Sequence, residues 1–238
     1  NTGNVMAVGQ VESIPGVDAC LMVGLTGTNA ATAIPKLLWG DINPSGRTAD
    51  TWAYRFDTAA SYANAGLNGV GVYSNADGLY PADGTTMGNL GESNYPYTQV
   101  SYVDYAEGIY VGYKFYETAA EEGLIKYEDM VQYPFGYGLS YTTFDKQIEN
   151  FKDNGDTVTF DVTVENTGSV AGKDVVEIYY TAPYTNGGIE KAAANLIAFE
   201  KTDSIEPGES QTKSFTINKE DMASYDSEGI KISGGGYI

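Results

Sequence analysis

The chain has 238 residues and 42% of them are hydrophobic, so it can bury a sizeable core in one or two domains. Its 13 basic and 32 acidic residues give a formal net charge of −19, which argues against nucleic acids and anionic membrane surfaces as partners. The absence of histidine excludes Ser-His-Asp and Cys-His catalysis and every metal site that uses histidine.

The single cysteine, the apolar runs and the two ends of the chain indicate what kind of protein it is. Cys20 excludes an internal disulfide, and because it lies in an apolar run we interpret it as a small buried hydrophobic residue. No apolar run approaches transmembrane length, and no signal peptide is visible. The chain begins on NTGNVMAVGQ without an initiator methionine and ends on GGGYI, so we interpret it as a fragment of a longer polypeptide.

Residues 1–60 are predicted to be the end of an α/β domain. The run VDACLMVGL, residues 17–25, has the length and composition of a strand that is buried on both faces of a parallel sheet. Residues 30–38 carry apolar side chains at helical spacing, and Gly40 is a suitable stop. Pro35 either kinks this helix or marks the first turn of a shorter one.

Residues 61–100 lose periodicity and are predicted to form a long irregular insertion loop. Order returns in YAEGIYVGYKFYE, residues 105–117, where a period of two predicts a strand. The residues on one side of this strand would be Ile109, Val111, Tyr113 and Phe115. We assign residues 101–145 to this strand and to an aromatic linker between domains, which contains the stretch YPFGYGLSYTTF at residues 133–144.

Residues 146–238 are predicted to form an all-β sandwich of the immunoglobulin or fibronectin type III kind. The segment DTVTFDVTVENTG, residues 156–168, alternates as a half-buried antiparallel strand does, and an Asn-Thr-Gly turn ends it. Its inward-facing residues would be Val158, Phe160, Val162 and Val164. Further strands are predicted within residues 173–183 and 211–220.

Several segments, taken in order, resemble the family 3 glycoside hydrolases, the β-glucosidase group. They are LLWGDINPSGRTADTWA, EGIYVGYKFYET, YPFGYGLSYTTF, and the pair VTVENTGSVAGKDVVEIYY and EKTDSIEPGES. The match covers nearly the whole chain apart from residues 61–97. The segments SGRTADTWA and EGIYVGYKFYET are most similar to those of bacterial members with permuted domain order. In these members the barrel follows the fibronectin-like domain.

The resemblance implies an enzyme built from a (β/α)₈-like barrel, an α/β sandwich and a fibronectin type III-like domain. It also implies a retaining mechanism, with an aspartate nucleophile on the barrel and a glutamate acid/base upstream of residues 17–25. Both would lie outside this sequence, so we assign no catalytic residue, no metal and no cofactor. The implied partners are a carbohydrate substrate, either an oligosaccharide or a glucoside, and the barrel domain of the same polypeptide.

Three polar features are candidates for chemistry, and each has a structural alternative. Glu107 lies in a motif beside tyrosines, but we favour a structural carboxylate that holds the start of the predicted strand. Arg47 could clamp a sugar hydroxyl or fix the turn DINPSGR by binding carbonyls or a carboxylate, and Asp41 is interpreted as a turn or cap residue. The acidic KDNGD, residues 152–156, lacks the calcium-loop pattern and is interpreted as a hairpin turn.

Aromatic side chains are the remaining candidates for binding a sugar. In residues 133–144 they could form a stacking subsite, but we favour a joint between domains, where large rings bury much area. These residues are Tyr133, Phe135, Tyr137 and Tyr141. The tyrosines of residues 61–97 could line an active-site rim or belong to a solvated insertion. The rim candidates are Tyr73, Tyr80, Tyr95 and Tyr97, and Tyr62 lies in the same segment.

The sequence thus predicts part of a family 3 glycoside hydrolase that acts on β-glucosides or related β-linked sugars, with this chain as scaffold. One alternative is a non-catalytic carbohydrate-binding or adhesion module on a fibronectin-like sandwich. A second alternative is a purely structural spacer. A sandwich-domain glutamate and a barrel aspartate in flanking sequence would indicate the enzyme, whereas tandem sandwich repeats would indicate the spacer or the adhesin.

Overall fold

A computed structural model of the chain divides it into a mixed helical part and an all-β part. It describes residues 8–25, 27, 30–64, 70–72, 101–103, 105, 107–226 and 231–232. We call the described residues up to 133 the N-terminal part, and residues 144–226 the sandwich.

The N-terminal part contains short helices and short strands. The helices are α1 (Gly9–Glu12), α2 (Ala33–Leu38), α3 (Tyr113–Glu121) and α4 (Tyr127–Met130), with 3₁₀ turns at Ala30–Thr32, Phe56–Thr58 and Ala60–Asn64. The strands are β1 (Trp52–Ala53), β2 (Val70–Val72), β3 (Ser101–Val103) and β4 (Val131–Tyr133). Strand β1 pairs antiparallel with β4, and β2 pairs antiparallel with β3. A small core of Ala53, Tyr116 and Val131 joins the β1–β4 pair to α3.

The predicted strand at residues 105–117 is wrong, because the second half of this segment begins helix α3. The helix buries Tyr116 and Ala119, three residues apart, and Tyr116 packs against the β1–β4 pair. The residues that continue it, ETAAEE, favour a helix, and Gly123 after it has a φ of 69° that suits a helix end. The apolar side chains alternate with a period of two over only a few residues, and the helix-forming residues that follow favour a helix instead.

The predicted strand at residues 17–25 is also wrong. The described residues of this run form no strand, and Leu21, Met22 and Leu25 are exposed. Cys20 is exposed as well, so its interpretation as a buried residue is corrected. A strand exists only when a neighbour satisfies its backbone hydrogen bonds, and no described residue pairs with this run.

The predicted helix at residues 30–38 is confirmed, as a 3₁₀ turn that leads into α2. Pro35 is the third residue of α2, which corresponds to the second of its two expected roles, the first turn of a short helix. Gly40 follows the helix with a φ of 82°, which is the left-handed conformation expected of a glycine stop.

The sandwich packs a three-stranded sheet against a two-stranded sheet, and all its named strands are antiparallel. The strands are β5 (Phe144–Asp153), β6 (Thr157–Asn166), β7 (Val175–Tyr180), β8 (Asn195–Lys201), β9 (Ser210–Asn218), β10 (Ser224–Tyr225) and β11 (Lys231–Ile232), with a 3₁₀ turn at Lys219–Met222. The larger sheet has the order β5-β6-β9, and β7 pairs with β8.

Strand β6 confirms the predicted alternation. Phe160, Val162 and Val164 are buried in the core between the sheets, and Val158 packs against that core. The facing sheet contributes Val176, and β9 contributes Phe215 and Ile217. Residues 154–156 connect β5 to β6, so the interpretation of KDNGD as a hairpin turn is confirmed.

Candidate functional site at the joint between the two parts

Polar contacts between the parts converge on the turn at residues 43–48, and we call this region the joint. Asn43 anchors it with one side chain. Its Oδ1 accepts hydrogen bonds from Ser140 Oγ at 3.0 Å and from the Tyr141 backbone N–H at 2.8 Å. Its Nδ2 donates to the Ala171 carbonyl at 3.1 Å. One amide therefore binds the turn to the aromatic stretch and to the chain that enters β7.

An ion-pair cluster around the buried Asp174 reaches the same turn through Arg47. Arg47 Nη2 lies 2.6 Å from Asp174 Oδ1, and Lys146 Nζ lies 2.8 Å from Asp174 Oδ2. Burial by itself raises the pKa of Asp174, but hydrogen bonds from Lys146, the Val175 backbone and Arg47 outweigh it, so the pKa lies below its usual value. Asp174 is thus charged at neutral pH, with one cation on each oxygen.

The backbone of Asp174 is fixed as firmly as its side chain. Its N–H donates to Thr202 Oγ1 at 2.9 Å, and the Thr202 N–H donates to the Asp174 carbonyl at 2.8 Å. From the same strand, Lys201 Nζ donates to the Ser45 carbonyl at 2.7 Å. Burial, followed by the charge of Arg47, lowers the pKa of Lys201. The sandwich therefore contacts the turn from both β7 and β8.

The aromatic stretch lines the joint on its other side. Thr48 and residues 134–137 are linked by two backbone bonds, and Thr48 Oγ1 donates to the Pro134 carbonyl at 2.6 Å. Tyr133 stacks on Tyr137 with ring centroids 4.9 Å apart. Tyr141 donates its hydroxyl proton to the Leu37 carbonyl at 2.7 Å. Tyr133 and Tyr137 thus pack on each other and Tyr141 binds the N-terminal part, while Tyr137 and Tyr141 are 36% and 49% exposed.

Helix α3 makes a second contact with the sandwich. Thr118 Oγ1 accepts a hydrogen bond from the Ala193 N–H at 2.9 Å, and the Tyr113 hydroxyl accepts one from the Leu196 N–H at 2.9 Å. The Tyr113 ring also lies between Phe135, at 5.0 Å, and Tyr179, at 5.9 Å. Much of the segment that was predicted to be a strand is therefore a helix docked on β7 and β8.

Two concave regions of the described residues could in principle hold a small molecule. A cavity of about 100 Å³ lies between residues 51–61 and residues 110–116. Thr51 is among its lining residues, and the buried Thr51 hydroxyl has no hydrogen-bond partner. The cavity is smaller than the roughly 300 Å³ at which small-molecule sites begin. An open groove of about 350 Å³ between β5 and β7 is lined by aliphatic residues, which include Ile148 and Val162, and by charged ones. The charged residues are Arg47, Lys146 and Glu177.

The predicted site residues fall in different places. Arg47 binds a carboxylate and the adjoining turn, which was the structural alternative for it, and Asp41 lies in the bend after α2. Glu107 lies in a turn, where its carbonyl accepts the Tyr110 N–H at 3.0 Å. The rim candidates Tyr73, Tyr80, Tyr95 and Tyr97 lie outside the described residues.

Sequence reasoning missed the contacts of Asp174 and Asn43 at the joint and of Thr118 in helix α3. Asp174 and Thr118 gave no distinguishing signal, because each looked like an ordinary polar residue in its segment. Asn43 lies in a turn segment, where asparagine is common without any further role. The sequence did place Asn43 and Arg47 together in the turn motif DINPSGR. It gave no indication of the residues that their side chains would bind.

Several aspartates of the described residues are held by protein contacts in their charged form. The pKa is lowered by hydrogen-bonding or ion-pair partners in Asp57, Asp153, Asp161, Asp174 and Asp203. A lowered pKa is the opposite of what a general acid in glycoside hydrolysis needs. Among the described residues there is no cluster of three or more metal-ligating side chains, and no helix that is long and apolar enough to cross a membrane.

The fold defines a class of protein in which a mixed helical part is joined to a fibronectin type III-like sandwich. Two family models match the chain. The model of the glycosyl hydrolase family 3 C-terminal domain matches residues 1–141, and that of a fibronectin type III-like domain matches residues 174–238. The chain belongs to glycosyl hydrolase family 3. This confirms the resemblance and the predicted fold class, the end of an α/β sandwich followed by a fibronectin type III-like sandwich.

Similar proteins are β-glucosidases of bacteria and fungi. β-Glucosidase A of Butyrivibrio fibrisolvens is 34% identical, with 96% of this chain and 25% of the relative covered. The β-glucosidase of Ruminococcus albus is also 34% identical, with 97% of this chain and 20% of the relative covered. The chain thus spans a quarter or less of the length of these relatives.

Solved structures agree with this assignment. β-Glucosidase 3B from Thermotoga neapolitana in complex with glucose has a TM-score of 0.65 and 32% identity, over 86% of this chain and 23% of that one. The β-D-glucoside glucohydrolase from Trichoderma reesei has a TM-score of 0.68 over 98% of this chain and 29% of that one. At 21% identity, the second shows the fold alone.

Proposed function

We propose that this chain belongs to an enzyme that hydrolyses β-glucosides or related β-linked sugars with retention of anomeric configuration. The observation that carries the proposal is 34% identity to a β-glucosidase over 96% of the chain. In such a mechanism one carboxylate attacks the anomeric carbon while a second carboxyl group, about 5–5.5 Å away, protonates the leaving oxygen. We place both groups outside this chain. The barrel is proposed to be another domain of the same polypeptide.

Within that enzyme, the chain serves as scaffold. The ion-pair cluster at Asp174, the anchor at Asn43 and the docked helix α3 support this role, because their polar groups are used in protein contacts. We also keep Tyr73, Tyr80, Tyr95 and Tyr97 as proposed rim residues, on the composition of their loop. The boundaries 1–60, 61–100, 101–145 and 146–238, and the permuted domain order, likewise stay predictions.

The test is turnover of an aryl β-glucoside by this purified chain and by the protein encoded by its full reading frame. We expect activity only in the longer protein, because retaining hydrolysis needs two positioned carboxyl groups. Turnover by the chain alone that is lost in Glu107→Gln would contradict the proposal and make Glu107 catalytic. Inactivity of both proteins, with binding of β-glucans retained, would favour the carbohydrate-binding or adhesion module.

A further inference from the structure

The ion-pair cluster joins residues that are far apart in the chain and belong to different parts. Arg47 comes from the turn that follows α2, whereas Lys146 and Asp174 come from the sandwich. The two cations reach different oxygens of the same carboxylate, at 2.6 and 2.8 Å. One ion pair therefore crosses between the parts, and the other stays within the sandwich.

We propose that the Arg47–Asp174 ion pair locks the sandwich to the N-terminal part, so that the two unfold as one cooperative unit. Domains of one chain that meet through small polar contacts ordinarily move and unfold separately. Here the carboxylate is 5% exposed and its backbone is held by Thr202. A buried charge that loses its partner is strongly destabilised, so separating the parts is costly.

The surrounding contacts fit the same conclusion. A Cβ at Gly138 would meet the Gly46 carbonyl and would lie 2.8 Å from Arg47 Nη1, so the aromatic stretch packs directly on the arginine. Lys201 binds the Ser45 carbonyl one residue from Gly46, and Asn43 binds Ala171. The guanidinium is therefore held in place by backbone on one side and by Asp174 on the other.

The chain carries its own probe for testing this proposal. Its two tryptophans, Trp39 and Trp52, both lie in the N-terminal part, and Trp52 is 7% exposed. Tryptophan fluorescence therefore reports on unfolding of that part. Far-UV circular dichroism of the β signal reports mainly on the sandwich, which holds the long strands. Cooperative unfolding makes the two transitions coincide.

The decisive comparison is Arg47→Gln against Lys146→Gln in the full chain. Each variant removes one positive charge from the same carboxylate, but only the first removes an ion pair that crosses between the parts. We expect coincident transitions in the wild type and in Lys146→Gln. In Arg47→Gln the fluorescence transition should fall about 5 °C or more below the dichroism transition.

Two results would overturn the proposal: separate transitions in the wild type, or coincident transitions in Arg47→Gln. An equal separation in Lys146→Gln would also overturn it, because loss of charge alone would then explain the effect. If Arg47→Gln does not fold, Asp174→Asn decides, since it removes the carboxylate and with it the ion pair between the parts. Coincident transitions in Asp174→Asn would then reject the lock, and separated ones would support it.

Discussion

At the scale of single residues, Asp174 shows how this chain buries a carboxylate without neutralising it. Desolvation favours the protonated acid, but two cations and a backbone N–H bind the charged form more strongly. The cost of burying the charge is thus offset only while both cations stay in place. Such a residue makes the stability of the joint depend on pH.

Acid should destabilise the chain through Asp174. Its pKa is lowered in the folded state, so its contribution to stability is present above the ordinary value of about 3.9 and is lost as the pH falls through the folded-state pKa. We expect Asp174→Asn to be less stable at neutral pH and to lose less stability between about pH 5 and about pH 2. Urea unfolding at several pH values measures both quantities.

The matched control is Asp161→Asn. Asp161 also has a lowered pKa, from Ser214 and Asn150, but it lies within the sandwich and away from the joint. This variant should keep nearly the wild-type stability at neutral pH. A wild-type pH dependence in Asp174→Asn would contradict the role of Asp174.

Two neighbouring glycines of the joint should respond differently to the same substitution. Gly138→Ala places a Cβ against the Gly46 carbonyl and 2.8 Å from Arg47 Nη1, so backbone must shift. We expect a loss of about 1–3 kcal/mol in the free energy of unfolding. A Cβ at Gly46 meets no atom within 4 Å, so Gly46→Ala should change stability little. Equal thermal shifts in the two variants would contradict the observed packing.

At the scale of elements, strand β6 and helix α3 differ in how their burial is determined. Residues of β6 alternate because β6 is paired on both sides, with Val162 opposite Ile148 on one side and Lys213 on the other. Helix α3 is instead fixed by contacts with distant strands, through Thr118 and Tyr113. The first element follows a local pattern, and the second does not.

A charge on β6 should unfold the sandwich, whereas the same charge on its cross-strand neighbour should not. Val162 is 2% exposed and Ile148 is 68% exposed, although the two lie directly opposite each other on one face. We expect Val162→Asp to lose more than about 3 kcal/mol of stability and Ile148→Asp to stay within about 1 kcal/mol of the wild type. Circular dichroism during urea unfolding compares them; similar losses would contradict the observed core.

At the scale of the whole molecule, the two parts meet through the joint and through helix α3. The polar contacts and rings of the aromatic stretch are used within the protein, which leaves the tyrosine-bearing loop as the proposed approach to substrate. In the longer enzyme, shortening residues 61–97 should therefore raise KM or change the preference for the aglycone, with little change in the melting temperature.

Tyr137→Ala is the variant to compare with the shortened loop. It lies in the aromatic stretch and removes a ring stacked on Tyr133. It should lower the melting temperature first, because aromatic pairs contribute about 0.5–1.5 kcal/mol beyond the area that they bury. Steady-state kinetics and thermal unfolding on both variants make the comparison. Unaltered kinetics after shortening the loop would favour a solvated insertion.

The sequence by itself determined strands β6, β7 and β9 of the sandwich, the helix that ends before Gly40 and the family. Each of these follows from residues that are close together in the chain, since side-chain alternation, a glycine stop and a motif are local patterns. The tertiary structure alone decided that residues 113–121 form a helix and that residues 17–25 form no strand. It also paired Arg47 with Asp174, 127 positions away, and Asn43 with Ala171, 128 positions away. No local periodicity encodes such partners, because burial and charge pairing depend on which surfaces meet after the chain has folded.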